Sequence, residues 1–126
     1  MIWLPDTEQV IQIHRRVIDK TGGSHGVRRE GLIESAVSHG SAGFGDIELY
    51  PSAALKAAAI CEGLITNHGF VDGNKRIGIV ILLMILYKNG IQLRYSQREL
   101  VELGLDIAQD RGPVEVIAKW IEAHRI

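Results

Sequence analysis

With 126 residues, 46% of them hydrophobic and 23% charged, the chain has the size and balance of one soluble globular domain, able to bury about two-thirds of its unfolded surface without a disulfide or metal staple. That excludes intrinsic disorder and collagen-like or low-complexity classes. Fourteen Lys and Arg against fifteen Asp and Glu leave a net charge of −1, so there is no broad basic field for nucleic acid or an anionic membrane. The single cysteine, Cys61, excludes an intrachain disulfide and a multi-cysteine zinc site and suits a reducing, cytoplasmic setting.

The opening Met1-Ile2-Trp3-Leu4-Pro5-Asp6 has neither the basic region nor the apolar run of a secretory signal, so none is expected. Pro5 precedes a first helix over about 6–20, with Asp6 or Thr7 as its cap and Val10, Ile13, Val17 and Ile18 on one face. Thr21-Gly22-Gly23 stops it. After the loop Ser24-His25-Gly26-Val27, a second helix runs over about 29–38 with Leu32, Ile33, Ala36 and Val37 as its apolar stripe. Gly40 to Pro51 is rich in glycine and polar residues and predicts a loop or a short hairpin. A third helix covers about 52–66; Ser52 is its N-cap, and Ala53, Ala54, Ala57, Ala58 and Ala59 favour the helix and let another helix approach closely.

Asn67 to Gly73 forms a turn, and a fourth helix spans about 74–88, with Asn89-Gly90 as its stop. From Ile77 to Leu86 it is apolar on nearly every side, which puts it at the centre of a bundle. At about 1.5 Å per residue the apolar stretch from Ile77 to Tyr87 reaches about 17 Å, well short of the roughly 30 Å of a bilayer core. Ile91-Gln92-Leu93 reads as an extended connector. Ser96-Gln97-Arg98-Glu99 is a capping box that opens a fifth helix to about Ala108. Arg111-Gly112 breaks the pattern, and Pro113 starts a sixth helix that ends near Arg125. No stretch alternates, so the expectation is an all-α, six-helix single domain over residues 1–126; the β-branched run of the fourth helix is where local propensity argues for a strand instead.

One segment carries chemistry: His68-Gly69-Phe70-Val71-Asp72-Gly73-Asn74-Lys75-Arg76, between two helices and at the mouth of the apolar one. A helix N-terminus presents unpaired N–H groups and partial positive charge. Gly73 allows close backbone approach, the Asn74 amide can donate, and Lys75 and Arg76 add two full charges, one in a fork that matches two oxygens. Together they form a cradle for a polyphosphate. Asp72 is a hard oxygen ligand suited to Mg²⁺ held against phosphate. Histidine is the residue type that exchanges protons near neutral pH, so His68 can relieve an attacking hydroxyl of its proton. Base, metal carboxylate and phosphate cradle are the parts of a phosphoryl or nucleotidyl transferase.

The segment resembles the core motif of the Fic/Doc family, His-x-Phe-x-Asp/Glu-Gly/Ala-Asn-Gly/Lys-Arg, at every defined position: His68, Phe70, Asp72, Gly73, Asn74, Lys75 and Arg76. Gly22-Gly23-x-x-Gly26-Val27-Arg28, Gly31 to Ala36, Asn89-Gly90 and the chain length are similar to the Doc (death-on-curing) branch. Adenylyl-transferring Fic proteins carry Gly where Lys75 stands, Arg where Ile79 stands, and usually Pro where Gly69 stands. The resemblance to Doc therefore implies a protein kinase that passes the γ-phosphate of ATP to a Thr or Ser hydroxyl, with Fic-type adenylyl transfer as the alternative. It implies His68 as general base, Asp72 as the Mg²⁺ ligand, Gly73, Asn74, Lys75 and Arg76 as phosphate binders, and Phe70 as an inward anchor. It also implies elongation factor Tu as target, with arrest of translation, and a small antitoxin as partner, its tail folding into a groove. The inhibitory Ser/Thr-x-x-x-Glu-Gly/Asn pattern of some relatives is incomplete here, since Gly26 precedes Glu30-Gly31; restraint by a separate protein is expected.

Each of these residues also has a plain structural reading. Asp72 can cap the fourth helix, and Lys75 and Arg76 can be a solvated first turn, although two cations at a helix N-terminus favour an offsetting anion. Gly40 to Gly45 lacks the Gly-Lys-Ser/Thr ending of a phosphate loop; the resemblance implies that it is the flap that positions the target chain. His14, His25, His39 and His124 are scattered, without zinc-site spacing. Arg15-Arg16 and Arg28-Arg29 read as solvated faces, and Cys61 as an inert packing residue.

Overall fold

The computed structural model describes residues Met1–Ile126. Its elements in chain order are α1 (Thr7–Thr21), α2 (Glu30–His39), β1 (Gly43–Phe44), β2 (Ile47–Glu48), α3 (Ala53–Asn67), α4 (Asn74–Lys88), α5 (Gln97–Ala108) and α6 (Val114–His124). The all-α, six-helix expectation holds, and the glycine-rich stretch after α2 takes the hairpin option. β1 and β2 pair antiparallel with Gly43 opposite Glu48 and Phe44 opposite Ile47.

The helices start where side chains can satisfy their first N–H groups. Asp6 accepts from the Gln9 N–H at 2.8 Å while the Gln9 side chain accepts from the Asp6 N–H at 2.9 Å, a capping box that glutamine closes as well as glutamate. Ser52 caps α3 through the Leu55 N–H. Ser96 and Glu99 form the reciprocal box at α5.

The α3–α4 pair is the centre. α2 and α6 pack on α3, and α1 and α5 on α4. Ten residues of α3 are buried against seven of α4, so the alanine-rich helix is the more enclosed of the two. Val80, Leu83 and Met84 on α4 are half-buried and Tyr87 is exposed. The reason is size. Small residues on α3 let neighbours close in on several sides: a Cβ at Gly63 would lie 3.0 Å from Ala36, and one at Gly78 would lie 2.5 Å from Ile65 Cγ1. Large side chains fill the remainder, including Ile60, Ile65, Ile77, Ile81, Leu82 and Ile85, all fully buried, each stabilising by about 1.5–3 kcal/mol relative to exposure. Cys61 is among them, and burial pushes its thiol pKa up, which keeps it unreactive.

The hairpin is fastened to this core by Lys56. Its buried ammonium donates to the Gly40 carbonyl at 3.0 Å and to Glu48 Oε1 at 2.9 Å, the pairing that a buried charge requires. No helix is long and apolar enough to cross a membrane.

Candidate active site

The turn between α3 and α4 begins with strained backbone. α3 ends at Asn67, and His68 follows in the left-handed region with φ 53° and ψ 49°. A non-glycine residue held there costs on the order of 1 kcal/mol or more, a strain that clusters at functional sites. The imidazole is exposed and free of protein partners, while the main chain around it is tied down. Arg28 donates from Nε to the His68 carbonyl at 2.7 Å and from Nη2 to the Asn67 carbonyl at 3.3 Å. A cation thus closes the negative end of α3. Arg28 is therefore more than a solvated face.

The segment after α1 straps the turn. Val27 pairs antiparallel with Phe70, the Val71 N–H donates to the Gly26 carbonyl at 3.0 Å, and the Arg28 and Arg29 N–H groups both donate to the Gly69 carbonyl, at 2.8 and 3.0 Å. Gly69 is buried against α2: a Cβ there would lie 2.6 Å from Ile33 Cγ1, so the departure from the usual Pro of Fic proteins has a steric counterpart in this chain. Phe70 turns inward and is 1% exposed. One face of its ring stacks on His14 of α1, with centroids 3.8 Å apart and planes 11° from parallel.

Asp72 and Gly73 form the bend into α4. The Asp72 carboxylate accepts the Ser24 N–H at 3.0 Å on Oδ2 and the Gly73 N–H at 2.8 Å on Oδ1. These two hydrogen bonds, Ser24 first, then the Arg76 guanidinium, hold its pKa below the ordinary carboxylate value, so it is ionised at neutral pH. Its bond to Gly73 takes the N–H of the capping residue itself and does not cap the later turns of the helix; Gly73 is the N-cap of α4, at φ 78°. The Asp72 carbonyl faces His14 Nε2 at 2.7 Å.

The expected phosphate binders divide. Lys75 is exposed and forms no ion pair. Arg76 gives Nη1 to Thr21 Oγ1 and to the Gly22 carbonyl, both at 2.6 Å, which ties α4 to the end of α1; Nη2 lies 3.7 Å from Asp72. The Asn74 amide is largely committed to the turn: Oδ1 accepts the Phe70 N–H and Nδ2 donates to the Phe70 carbonyl, both at 3.1 Å. One amide hydrogen is left for a ligand. Gly73 contributes backbone alone.

The donor set fits Mg²⁺ brought in with phosphate. No three His, Cys, Asp or Glu side chains gather around one point. Asp72 is a single ionised carboxylate, its side chain 45% exposed, beside a helix N-terminus and Lys75. Magnesium commonly takes one or two carboxylates and completes its shell with water and phosphate oxygens. Beside Lys75 and Arg76 lies an open groove of about 340 Å³, walled by Val17, Ile79, Val80, Leu100, Val101 and Leu105.

The six residues of the expected site, His68, Asp72, Gly73, Asn74, Lys75 and Arg76, come together on one short turn and the helix start that follows it. His14, Ser24, the closeness of Gly23 to Asp72 and the hydrogen bonding of Arg28 are additions that the structure makes. Gly23 stands against the site: a Cβ there would lie 2.5 Å from Asp72 Oδ2 and 2.9 Å from Arg76 Nη2. The Gly22-Gly23-x-x-Gly26 spacing was a signal for this strap; nothing local to His14 distinguished it from a surface or core histidine.

A sequence model of the family described as "Fic/DOC family" matches residues 4–86. Among curated proteins, Toxin Doc of Mycolicibacterium smegmatis is 40% identical over 72 residues, which covers 57% of this chain and 55% of that protein. The match thus spans little more than half the length of that relative.

Proposed function

The chain belongs to the Fic/DOC family, and on that premise we propose that it is a Doc-like toxin of a toxin–antitoxin pair: a protein kinase that transfers the γ-phosphate of ATP to a Thr or Ser hydroxyl of a translation factor, elongation factor Tu by resemblance, and so arrests translation. The observation that carries this reading is the exposed, unpartnered imidazole of His68 on a turn whose neighbouring groups are pinned. A group left free where everything around it is fixed is placed for an external partner.

In this reading Lys75, the first-turn N–H groups that follow Gly73 and the remaining donors of Asn74 and Arg76 hold the triphosphate over the first turn of α4, where backbone N–H groups favour an anion and Gly73, lacking a Cβ, lets it come close. Asp72 would hold Mg²⁺, which when bound neutralises phosphate charge. His68 takes the proton from the target hydroxyl as that oxygen bonds to the γ-phosphorus. The bond from the γ-phosphorus to the β–γ bridging oxygen breaks, and ADP leaves with that electron pair. The proton stays on the imidazole until solvent removes it.

The partner is a small antitoxin whose tail folds as an amphipathic helix in the groove walled by Val17, Ile79, Val80 and Leu100, with the exposed Val101 and Leu105 along α5 as its rim. Acidic residues of that tail would meet Lys75. The test of the activity is ATP labelled at either the α- or the γ-phosphate, incubated with the protein and translation factors. Transfer of the γ-label supports the kinase; transfer of the α-label makes the protein a Fic-type adenylyltransferase. RNA cleavage that survives His68→Ala would overturn both.

A further inference from the structure

The geometry points to His14 as a positioning residue for the Asp72 carboxylate, acting through the Asp72–Gly73 peptide. This deepens the proposed function and rests on Asp72 being the metal ligand of that reading.

His14 lies in α1, far from the motif in sequence, yet it is 3% exposed and its ring is enclosed at the site. Its Nε2 is 2.7 Å from the Asp72 carbonyl oxygen. A carbonyl can only accept, so Nε2 carries the hydrogen, and the tautomer is fixed by the partner. The ring plane is fixed as well, by the parallel stack on Phe70. This rigid donor holds one end of the Asp72–Gly73 peptide. The other end, the Gly73 N–H, donates to Asp72 Oδ1. The peptide plane is therefore clamped between the His14 imidazole and the carboxylate it must aim, and Gly73 is held at positive φ. Removing the His14 donor leaves the carbonyl without its partner and frees the peptide to rotate. The carboxylate then loses its Gly73 hydrogen bond and keeps only the Ser24 one.

A core histidine that merely fills space would be replaceable by any residue of similar shape. A positioning histidine would not, because the hydrogen-bond donor matters separately from the ring. His14→Phe keeps the stack and the volume but removes the donor. His14→Gln places an amide N–H where Nε2 was but gives up the stack. Partners that orient metal ligands typically change metal affinity by about 10–100-fold when lost.

The experiment uses the full chain and two readouts. The first is calorimetric titration of Mn²⁺ into protein saturated with a non-hydrolysable ATP analogue. The second is amide hydrogen exchange at Gly73 in the protein alone. The expectation is that His14→Phe keeps its melting temperature and spectrum, weakens Mn²⁺ binding at least about tenfold and speeds Gly73 exchange, and that His14→Gln restores much of both. Wild-type Mn²⁺ affinity and Gly73 protection in His14→Phe would overturn the inference. If His14→Phe unfolds, His14→Gln decides: a folded His14→Gln with intact Gly73 protection and Mn²⁺ affinity supports the donor role, and loss of both refutes it. If the wild-type protein itself binds neither nucleotide nor Mn²⁺, the proposed function fails, and Gly73 exchange alone then decides whether His14 holds the peptide.

Discussion

Two corners of the molecule each join an imidazole, a carboxylate and the first turn of a helix, and they are built to opposite ends. Where α6 meets α5, His124 gives Nδ1 to the Trp120 carbonyl and Nε2 to Glu99 Oε2, both at 2.7 Å, while Glu99 Oε1 accepts the Ser96 N–H at 2.8 Å. Both ring nitrogens face acceptors, an arrangement that favours the imidazolium form, and the ring stacks on Trp120. The Trp120 carbonyl first, then Glu99, raises the His124 pKa; the Ser96 N–H first, then His124, lowers that of Glu99 from 4.5 to about 2. Both ring nitrogens of His124 and both carboxylate oxygens of Glu99 have partners inside the fold. At the α3–α4 turn the carboxylate is likewise anchored, but the His68 ring and Lys75 point at nothing in the protein. Saturated groups hold a fold together, and groups kept free beside saturated ones are available for chemistry.

Breaking the open corner has the largest expected effect. His68→Ala should cut transfer by about 100-fold or more, the usual scale for losing a general base. Its melting temperature should stay close to wild type because the ring is exposed and makes no hydrogen bond within the protein. Label transfer and a thermal melt, run on the same preparation, check both. A substantial loss of stability would mean that His68 belongs with the saturated corner.

Gly23→Ala sharpens the contrast from the other side. Its φ of +109° disfavours any side chain, and the new Cβ would displace the Asp72 carboxylate or the Arg76 guanidinium. Activity should fall about tenfold to 100-fold, since a misplacement of about 1 Å at a site is costly, with a loss of about 1–3 kcal/mol in denaturant unfolding. A variant as active as wild type would show that the strap does not hold the carboxylate in place.

A lesion in neither corner separates fold from site. Gly78→Ala forces a methyl toward Ile65 and the Cys61 carbonyl. Overpacking of that kind should cost about 1–3 kcal/mol while activity per folded molecule stays unchanged below the melting temperature. Urea unfolding together with label transfer reads both.

The smallest effect belongs to the saturated corner. His124 has its pKa raised on folding, so its contribution to stability is complete below 6.5 and is lost as pH rises through the raised value. Glu99 has its pKa lowered, so its contribution is complete above 4.5 and is lost as pH falls through about 2. The pair is whole between those limits. The melting temperature should therefore decline modestly as pH rises above that window, and Glu99→Gln should flatten the decline without changing transfer. An equally steep pH profile in Glu99→Gln would remove His124 and Glu99 from this role.

What the residues made legible was local. Ser96 with Glu99, Asp6 as one of two candidate caps, and Ser52 mark helix starts because a cap is a short-range device. The six motif residues announced a site because they lie in one turn. What lay beyond reach were contacts between distant segments. His14 finds the Asp72 carbonyl, Arg28 closes α3, and Ser24 reaches the Asp72 carboxylate, and no periodicity pairs residues so far apart. The greater enclosure of α3 over α4 was equally hidden. Hydrophobicity favours the isoleucine-rich helix as the innermost, whereas the small side chains of Ala57, Ala58 and Ala59 decide how closely neighbours approach.

The central claim is that the first turn of α4 receives a triphosphate within reach of His68. A crystal structure of the protein with Mg²⁺ and a non-hydrolysable ATP analogue tests it most directly. The account predicts phosphate oxygens against the Asn74–Arg76 backbone N–H groups and the Lys75 ammonium, metal on Asp72, and His68 facing the terminal phosphate. Nucleotide bound elsewhere, or phosphates turned away from His68 with Asp72 carrying no metal, would contradict it.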